Sequence, residues 1–269
     1  MKGDEFLAHY GPAALVTGAS SGIGDAFARE LAERGLNLLL VARRADRLQQ
    51  LATDLQAAHG VNVTVCAADL ADPAAADLIA KAADGMDIGL LVSNAGFGLK
   101  GPHQANDPAH MTAMLQVNCG AHLQLTHRFL PGLLSRGRGA IVLTSSIEGL
   151  MGIPFSAAYA ASKAFTNSLG ESLWGELQPA GLDVLAVCPG STDTEAHALQ
   201  GIDSSTLEGM MSPREVAVLS LDNLRSGPVY VVGEQNRAMF DVLLGMPRRA
   251  ALLQMADNIR AALLPIEAS

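Results

Sequence analysis

The length, composition and charge of the chain exclude several classes of protein. Its 269 residues are 49% hydrophobic and 17% charged, which predicts one folded domain over residues 1–269 and excludes a disordered or collagen-like chain. A formal net charge of −9 argues against a nucleic-acid partner. The cysteines form no CxxC pair, so they predict no metal or redox site and indicate a reducing compartment: Cys66, Cys119 and Cys188.

Hydropathy predicts neither an export signal nor an integral membrane segment. Residues 1–10 include Lys2, Asp4 and Glu5 and lack the apolar run of a signal peptide. Nowhere do about 20 consecutive apolar residues occur. We therefore expect a cytoplasmic protein.

From Ala13 onward, short apolar runs alternate with longer stretches rich in Ala, Leu, Glu and Arg. This alternation predicts βαβ units, and apolarity without polar alternation predicts strands covered by helices on both faces. We expect a doubly wound parallel α/β sheet of seven strands, a Rossmann fold, with ligands at the carboxyl ends of its strands. The predicted strands are residues 13–17, 37–42, 61–67, 88–93, 140–144, 183–188 and 229–232. The predicted helices are residues 23–34, 45–59, 73–82, 108–134, 157–177 and 213–223.

The first predicted strand runs into a glycine-rich turn that opens a helix, Thr17-Gly18-Ala19-Ser20-Ser21-Gly22-Ile23-Gly24. Glycines permit the tight turn, the approach of a pyrophosphate and close helix–strand packing. The helix N-terminus then presents free N–H groups to the phosphate. A glycine pattern alone also fits an ordinary turn, but the flanking strand and helix favour a dinucleotide site. The predicted contacts are Gly18, Ser20, Ser21, Gly22, Ile23 and Gly24.

The end of the second predicted strand indicates which dinucleotide binds. An acidic residue there would grip the ribose 2′-hydroxyl of NAD, but the sequence has Ala42, Arg43 and Arg44. Guanidinium groups pair with a 2′-phosphate, so we expect NADP(H) to be preferred over NAD(H), with Arg43 the first candidate and Arg44 the second. The alternative is that both arginines begin a solvated helix, as Arg47 does.

Two further strands end in segments suited to the adenosine half of the dinucleotide. Asp69 and Leu70 follow the third strand and could hold the adenine ring. Asn94, Ala95 and Gly96 follow the fourth and let the chain pass close to the adenine ribose.

A candidate catalytic set follows. Tyr159 and Lys163 are four residues apart near the start of a predicted helix, so they share a face, and the ammonium is expected to lower the phenol pKa. Ser145 and Ser146 end the fifth strand at the same sheet edge, where Ser146 could donate to a substrate oxygen. Asn118 has a poor helix propensity within a long apolar helix, which favours a functional or bulge role.

These motifs resemble the short-chain dehydrogenase/reductase family in its single-domain form, through the TGxxxGIG turn and the YxxxK pair. The resemblance covers about residues 13–232. It selects Ser146 over Ser145, since the family's serine stands thirteen positions before the tyrosine. It also implies a nicotinamide segment at Pro189, Gly190, Thr192 and Thr194 and a homodimer or homotetramer. Ser93 is a small departure, because many members carry Asn there.

The resemblance implies a division of labour in carbonyl reduction. Ser146 polarises the carbonyl, Tyr159 delivers a proton as hydride arrives, and Lys163 orients the ribose and depresses the tyrosine pKa. Asn118 holds a water that links Lys163 to solvent.

Apolar residues flank the catalytic set and predict a lipophilic small-molecule carbonyl or alcohol substrate, with core packing as the alternative. They are Phe97, Leu99, Ile147, Leu150, Met151, Ile153 and Phe155. Residues 191–212 are expected to form a mobile substrate loop, in which Glu195 and His197 have no assigned role. Residues 237–269 are expected to form an amphipathic helical extension that packs on the domain, on a partner subunit or, less favoured, on a membrane surface.

The sequence thus predicts an NADP(H)-dependent oxidoreductase that transfers a hydride between nicotinamide and a carbonyl or secondary alcohol. Two alternatives stay open. The chain could be an NADP-binding regulator without turnover, although such a protein need not keep Asn118, Ser146, Tyr159 and Lys163 together. It could also be a nucleotide-sugar epimerase or dehydratase, against which its length and glycine spacing count.

Overall fold

Seven parallel strands form the centre of the molecule, which confirms the predicted doubly wound sheet. The computed structural model describes residues 3–195 and 209–263. The strands are β1 Ala13–Thr17, β2 Asn37–Ala42, β3 Val63–Ala67, β4 Ile88–Ser93, β5 Gly139–Thr144, β6 Leu182–Cys188 and β7 Val229–Val231. They lie in the order β3-β2-β1-β4-β5-β6-β7. Strands β1 to β3 are added towards one edge of the sheet and strands β4 to β7 towards the other, so the strand order reverses between β1 and β4. In such sheets ligands bind in the crevice at this point, at the carboxyl ends of the strands.

Helices cover both faces of this sheet. Those in the described residues are α1 Gly3–Tyr10, α2 Gly22–Glu33, α3 Ala45–His59, α4 Ala75–Ala82, α5 Pro108–Leu115, α6 Ala121–Arg136, α7 Ala157–Leu177, α8 Pro213–Asp222, α9 Glu234–Gly245 and α10 Arg248–Leu263. Neighbouring residues of one strand face opposite layers: Val16 packs in the core with α2, and Leu15 in the core with α4 and α6. Two buried faces explain why the strands are apolar without alternation.

Several element bounds differ from those predicted. Strand β3 starts two residues late, and α4 begins at Ala75. The predicted helix over residues 108–134 is interrupted by a π-helical turn, Gln116–Gly120, and continues to Arg136. A π turn inserts one extra residue without changing the apolar character of the chain, so the helix was predicted as continuous, and only the poor helix propensity of Asn118 indicated an irregularity there.

The amino-terminal helix α1 is absent from the sequence prediction. Phe6 and Tyr10 are fully buried, and their rings meet edge to face with centroids 4.8 Å apart. The Tyr10 hydroxyl donates a 2.7 Å hydrogen bond to the Asp183 carboxylate on β6. Burial, followed by this carboxylate, raises the pKa of Tyr10. An eight-residue helix carries too little periodicity to predict, and it is these long-range contacts that fix it.

The carboxy-terminal helices pack on the segment that follows β5. Phe240 of α9 and Ala251 of α10 are buried in a cluster with Met151. Ile147, Leu150 and Ile153 pack against the same cluster. The extension therefore contacts this domain, and those apolar residues that the sequence assigned to a pocket are partly engaged in packing. Among the described helices, none is long and apolar enough to cross a membrane.

The buried Tyr10–Asp183 contact yields a stability prediction. Replacing Tyr10 by Phe removes the hydroxyl but keeps the packing, so the free energy of unfolding should fall by about 1–3 kcal/mol. Urea unfolding of both proteins measures the difference. Tyr230→Phe is the matched control, because its hydroxyl only accepts a 3.2 Å bond from Asn223 at a partly exposed position. Equal losses of unfolding free energy in the two variants would show that the hydrogen bond to Asp183 stabilises the fold no more than the partly exposed bond of Tyr230.

Candidate active site

The glycine-rich turn after β1 has the backbone shape that a phosphate site requires. Gly18 and Gly22 have φ angles of 70° and 57°, which L side chains rarely adopt. A Cβ at Gly24 would lie 2.2 Å from the Gly18 carbonyl oxygen. The tight turn and the close packing predicted for these glycines are therefore present, whereas the approach of a pyrophosphate stays a prediction. Ile23 follows Gly22 in the first turn of α2.

Arg44 lies over this turn. Its guanidinium donates to the Ser21 hydroxyl at 2.6 Å and to the Ser20 hydroxyl at 3.0 Å. Ser21 is the N-cap residue of α2 but makes no capping bond to it, so the first N–H groups of the helix are left to another acceptor. The sequence ranked Arg43 ahead of Arg44, whereas the structure brings Arg44 to the turn and leaves Arg43 exposed.

Glu195, to which the sequence assigned no role, joins this arginine group. Its carboxylate lies 2.9 Å from Arg44 and 2.6 Å from Arg47. Hydrogen bonds from Arg47 and then Arg44 lower the pKa of Glu195 to about 2. Most of the predicted loop, with His197, lies outside the described residues.

Hydrogen bonds join the segment after β4 to the end of β1. The buried Thr17 hydroxyl accepts from the backbone N–H groups of Asn94 at 2.9 Å and Ala95 at 3.0 Å. The Asn94 amide donates to the Thr17 carbonyl at 3.0 Å. A Cβ at Gly96 would lie 3.0 Å from Asn118 Oδ1 and 3.2 Å from Lys163 Nζ, so a glycine is needed for this close approach.

The two remaining cofactor segments also lie at this sheet edge. Asp69 is exposed after β3 and accepts from the Ala71 N–H at 3.0 Å, while Leu70 is buried. After β6, the Pro189 carbonyl accepts from the Ile147 N–H at 3.0 Å.

Further along the segment after β6, the chain bends towards the glycine turn. The buried Thr192 hydroxyl donates to the Gly190 carbonyl at 3.0 Å. The Thr194 side chain comes within 3.0 Å of where a Gly22 Cβ would stand. The predicted nicotinamide segment is therefore next to the phosphate turn.

Asn118 lies in the π-helical turn between α5 and α6 and is fully buried. Its Oδ1 accepts from the Phe97 N–H at 3.0 Å, and its Nδ2 donates to the Phe97 carbonyl at 2.9 Å and to Ser162 Oγ at 3.0 Å. The predicted bulge is thus present, and the side chain holds the β4–α5 connection against α7. The water that the resemblance implies for Asn118 stays a prediction.

The two serines at the end of β5 have different environments. Ser145 Oγ donates to the Lys163 carbonyl at 2.9 Å, so that hydroxyl serves the α7 backbone. Ser146 Oγ accepts from the Glu148 N–H at 3.2 Å and keeps its proton for another acceptor. The Ser146 side chain lies within hydrogen-bonding reach of the Tyr159 phenol, and this contact partly offsets the rise in the Tyr159 pKa that burial causes. The geometry thus agrees with the choice of Ser146.

Lys163 is almost completely buried below Tyr159. Its Nζ donates to the Thr144 carbonyl at 2.8 Å and lies 5.7 Å from the Tyr159 ring centroid. Burial lowers the pKa of Lys163 to about 8. The phenol shifts the other way, because burial and then the Glu148 carboxylate raise the pKa of Tyr159. The sequence expectation of a lowered tyrosine pKa is therefore wrong for the chain alone, because loss of hydration is the largest cause of the shift and it raises the pKa.

A second charged group lies beside Tyr159 and was not predicted from the sequence. Lys100 Nζ lies 5.4 Å from the Tyr159 ring centroid and pairs with the Glu148 carboxylate. Lys100 follows β4 and Glu148 follows β5, so no local motif links them. The sequence offered one signal only, namely that Glu148 stands two residues after Ser146.

Comparison with known proteins identifies the family. The family model described as short chain dehydrogenase matches residues 12–203, more than half of the chain. The chain belongs to this family. The member resembles a 7beta-hydroxysteroid dehydrogenase of Clostridium sardiniense, with 31% identity over 258 residues that cover 94% of this chain and 99% of that protein.

Two other relatives differ in how much of their length is matched. The very-long-chain 3-oxoacyl-CoA reductase of Phaeosphaeria nodorum is 36% identical over 190 residues, which cover 67% of this chain and 56% of the reductase. This short chain dehydrogenase thus spans little more than half of that relative. The solved structure of a short-chain dehydrogenase from Sphingobium yanoikuyae in complex with NADPH has a TM-score of 0.81 and 34% identity, covering 90% of this chain and 95% of that chain.

Family membership gives the reaction class. This short chain dehydrogenase is an oxidoreductase that acts on alcohol or carbonyl groups, and its cofactor is a nicotinamide dinucleotide. The residues present fit that cofactor. The closely packed turn at Gly18, Gly22 and Gly24 runs into the uncapped start of α2, and the Arg44 guanidinium supplies positive charge there.

The close approach at Gly24 predicts the effect of one methyl group. Gly24→Ala forces apart the backbone of the phosphate turn, which should lower the free energy of unfolding by about 1–3 kcal/mol and weaken NADPH binding. Urea unfolding and NADPH fluorescence titration measure the two effects. Gly175→Ala, in open space on α7, is the control and should instead stabilise by up to about 1 kcal/mol. Unchanged NADPH affinity in Gly24→Ala would contradict the assignment of this turn.

Proposed function

We propose that this short chain dehydrogenase transfers a hydride between NADP(H) and a carbonyl or secondary alcohol carbon of a lipophilic substrate. The observation that carries the proposal is the meeting of Ser146, Tyr159 and Lys163 at the carboxyl end of β5, near the glycine turn after β1. A hydroxyl donor, a phenol and a buried ammonium are the groups that carbonyl reduction needs beside a dinucleotide.

Each side chain has a defined task in this proposal. Ser146 donates a hydrogen bond to the carbonyl oxygen and stabilises the charge that grows on it. Tyr159 gives that oxygen its phenolic proton, and Lys163 orients the cofactor ribose and stabilises the resulting phenolate. Asn118 positions the β4–α5 connection, and its water is proposed to return a proton to Lys163. When bound, the nicotinamide supplies the hydride.

Phosphate and adenosine contacts are proposed for the remaining segments. Residues of the glycine turn take the pyrophosphate at the start of α2. Asp69 and Leu70 take the adenine, and the segment from Asn94 to Gly96 passes the adenine ribose. The segment from Pro189 to Thr194 takes the nicotinamide, with Thr194 at the carboxamide.

The lipophilic substrate class rests on the apolar surroundings of the site. Phe97, Leu99 and Phe155 lie on the segments beside Tyr159, and the α9–α10 pair brings an apolar cluster to the turn after Ser146. The hydroxysteroid dehydrogenase and the very-long-chain 3-oxoacyl-CoA reductase, by name, act on substrates with large apolar parts. Apolar substrates lose water on entering such a pocket, which favours binding.

The central test is hydride transfer with and without the phenol. The purified protein should oxidise NADPH with ketones drawn from steroids, acyl ketones, aromatic ketones and aldehydes. Tyr159→Phe should lower kcat about 10²- to 10⁴-fold while NADPH binding persists, because only the proton donor is lost. Absorbance of NADPH measures the rate.

Tyr230→Phe controls for a general effect of removing a tyrosine hydroxyl. The Tyr230 phenol, on β7, accepts a hydrogen bond from Asn223 and is not part of the Ser146, Tyr159 and Lys163 set, so the rate of this variant should match that of the parent protein. NADPH binding without turnover on any ketone, unchanged by Tyr159→Phe, would favour the regulator. Turnover confined to nucleotide sugars would favour the epimerase or dehydratase.

The preference for NADP(H) over NAD(H) is tested separately. Loss of a charge-assisted bond to the 2′-phosphate should raise the Kd for NADPH about 10- to 100-fold in Arg44→Ala and leave the Kd for NADH nearly unchanged. Arg43→Ala should show the same selectivity. Arg128→Ala, on the exposed face of α6, is the control. Equal losses for both dinucleotides would show that neither arginine reads the phosphate.

Assembly and location stay predictions of the family resemblance and of the sequence. A homodimer or homotetramer is expected, and apolar side chains exposed on α5, α6 and α7 support it: Leu115, Leu123 and Phe165. Light scattering of the purified protein measures the assembly, and a monomer at micromolar concentration would contradict it. The cytoplasmic location is expected from the sequence alone.

A further inference from the structure

Three segments of the chain meet beside Tyr159 through charged and polar side chains. Lys100 comes from the β4–α5 connection, Glu148 from the turn after β5, and Ser156 from the residue before α7. Lys100 Nζ pairs with the Glu148 carboxylate and lies 3.0 Å from Ser156 Oγ. Ser156, itself buried, donates to the second Glu148 oxygen at 2.5 Å. The ion pair is thus held by three points of attachment.

The backbone beside this group is also constrained. The Gly101 N–H donates to the Phe155 carbonyl at 2.8 Å, which ties the same two segments together next to the Lys100–Ser156 contact. Phe155 has a φ angle of 61°, a left-handed conformation that costs energy for a bulky side chain. Strained residues of this kind persist where the surroundings fix them, and they cluster at functional sites.

The pair faces the phenol at close range. Lys100 Nζ lies 5.4 Å from the Tyr159 ring centroid, on a par with the 5.7 Å of Lys163 Nζ. The side chains of Lys100 and Glu148 are 30% and 22% exposed, so water screens their charges only in part. A charge at such a distance in partly buried surroundings shifts a neighbouring titration by about one pH unit.

We propose that Lys100 and Glu148 are positioning residues that together set the proton affinity of Tyr159. Lys100 favours the phenolate and Glu148 favours the phenol, so the two charges act on Tyr159 in opposite directions. The proposal rests on the proton-donating role proposed for Tyr159. It adds a charge-balancing function to residues outside the serine, tyrosine and lysine set.

Other groups that face Tyr159 stay constant in the test. Lys163 approaches from α7, Cys188 from β6 and Ser146 from the end of β5. Beside the neighbouring aromatic rings, Arg260 of α10 lies 5.9 Å from the Phe155 ring centroid, and the ring centroids of His110 on α5 and Phe97 are 5.6 Å apart. None of them changes when one member of the pair is neutralised.

The two single substitutions should act in opposite directions. Glu148→Gln removes the negative charge and leaves Lys100 unbalanced, so the apparent pKa of the proton-transfer group should fall by about one pH unit. Lys100→Met leaves Glu148 unbalanced, and the apparent pKa should rise by about as much. Ketone reduction needs the protonated phenol, so its alkaline limb should move to lower pH in Glu148→Gln and to higher pH in Lys100→Met. The double variant should return towards the parent profile.

The experiment is the pH profile of kcat for NADPH-dependent ketone reduction in the parent, the two single variants and the double variant. Glu33→Gln is the matched control, since it removes the same charge from an exposed pair with Arg214. Shifts of opposite sign that cancel in the double variant support the proposal. Shifts of the same sign, or rate losses without a shift, would overturn it and indicate a structural role. A raised KM for anionic ketones alone would overturn it as well and make Lys100 a substrate contact.

A second readout separates this proposal from the proposed function. In protein labelled with ¹³C-tyrosine and saturated with NADP⁺, the Tyr159 Cζ resonance is assigned by its loss in Tyr159→Phe. Its midpoint on raising the pH should come earlier in Glu148→Gln than in Lys100→Met, whether or not any ketone is reduced. If no ketone is reduced but the Tyr159 titration midpoints of the two variants shift in opposite directions, only the proposed function is contradicted. If Tyr159 titrates at the same pH in both variants, only the proposed role of Lys100 and Glu148 is contradicted.

Discussion

The contact between the ends of β1 and β4 is the constraint on which the site depends. Thr17 is fully buried, and its hydroxyl and carbonyl together hold the backbone of Asn94 and Ala95 and the Asn94 amide. These bonds fix the crevice where the strand order reverses, and Gly96 then passes between Asn118 and Lys163. The glycine turn and the lysine are therefore held relative to one another by hydrogen bonds between the short side chains of Thr17 and Asn94 and the neighbouring backbone.

The π-helical turn at Asn118 also helps to fix the surroundings of Lys163, from the opposite side of that lysine. An inserted residue disturbs the hydrogen bonding of a helix, so it persists where other bonds compensate. Three hydrogen bonds of the Asn118 side chain, two to Phe97 and one to Ser162, provide that compensation. They also bring the connection that carries Lys100 against α7, so one irregular turn supports both the lysine and the charged pair beside Tyr159.

What the sequence could predict follows from the range of the interactions involved. The central strands were predictable because two-sided burial makes them continuously apolar, and the glycine turn because a backbone shape demands its residue type. Arg44 and Arg43 are adjacent and chemically identical, so only the bonds to Ser20 and Ser21 distinguish them. Helix α1 and the Lys100–Glu148 pair depend on partners that are distant in sequence, and no local pattern encodes such partners.

The opposite pKa shifts of Tyr159 and Lys163 follow from one cause, the exclusion of water. Burial disfavours any charged form, so it raises the pKa of the phenol and lowers the pKa of the ammonium to about 8. At neutral pH the proton therefore resides on Tyr159, in the form that can be given to a carbonyl oxygen. Once that proton has left, the phenolate is a buried anion, and the ammonium 5.7 Å from the ring centroid becomes its counter-charge. In the proposed mechanism the lysine thus stabilises the phenolate after proton transfer, whereas before the transfer the phenol keeps its proton.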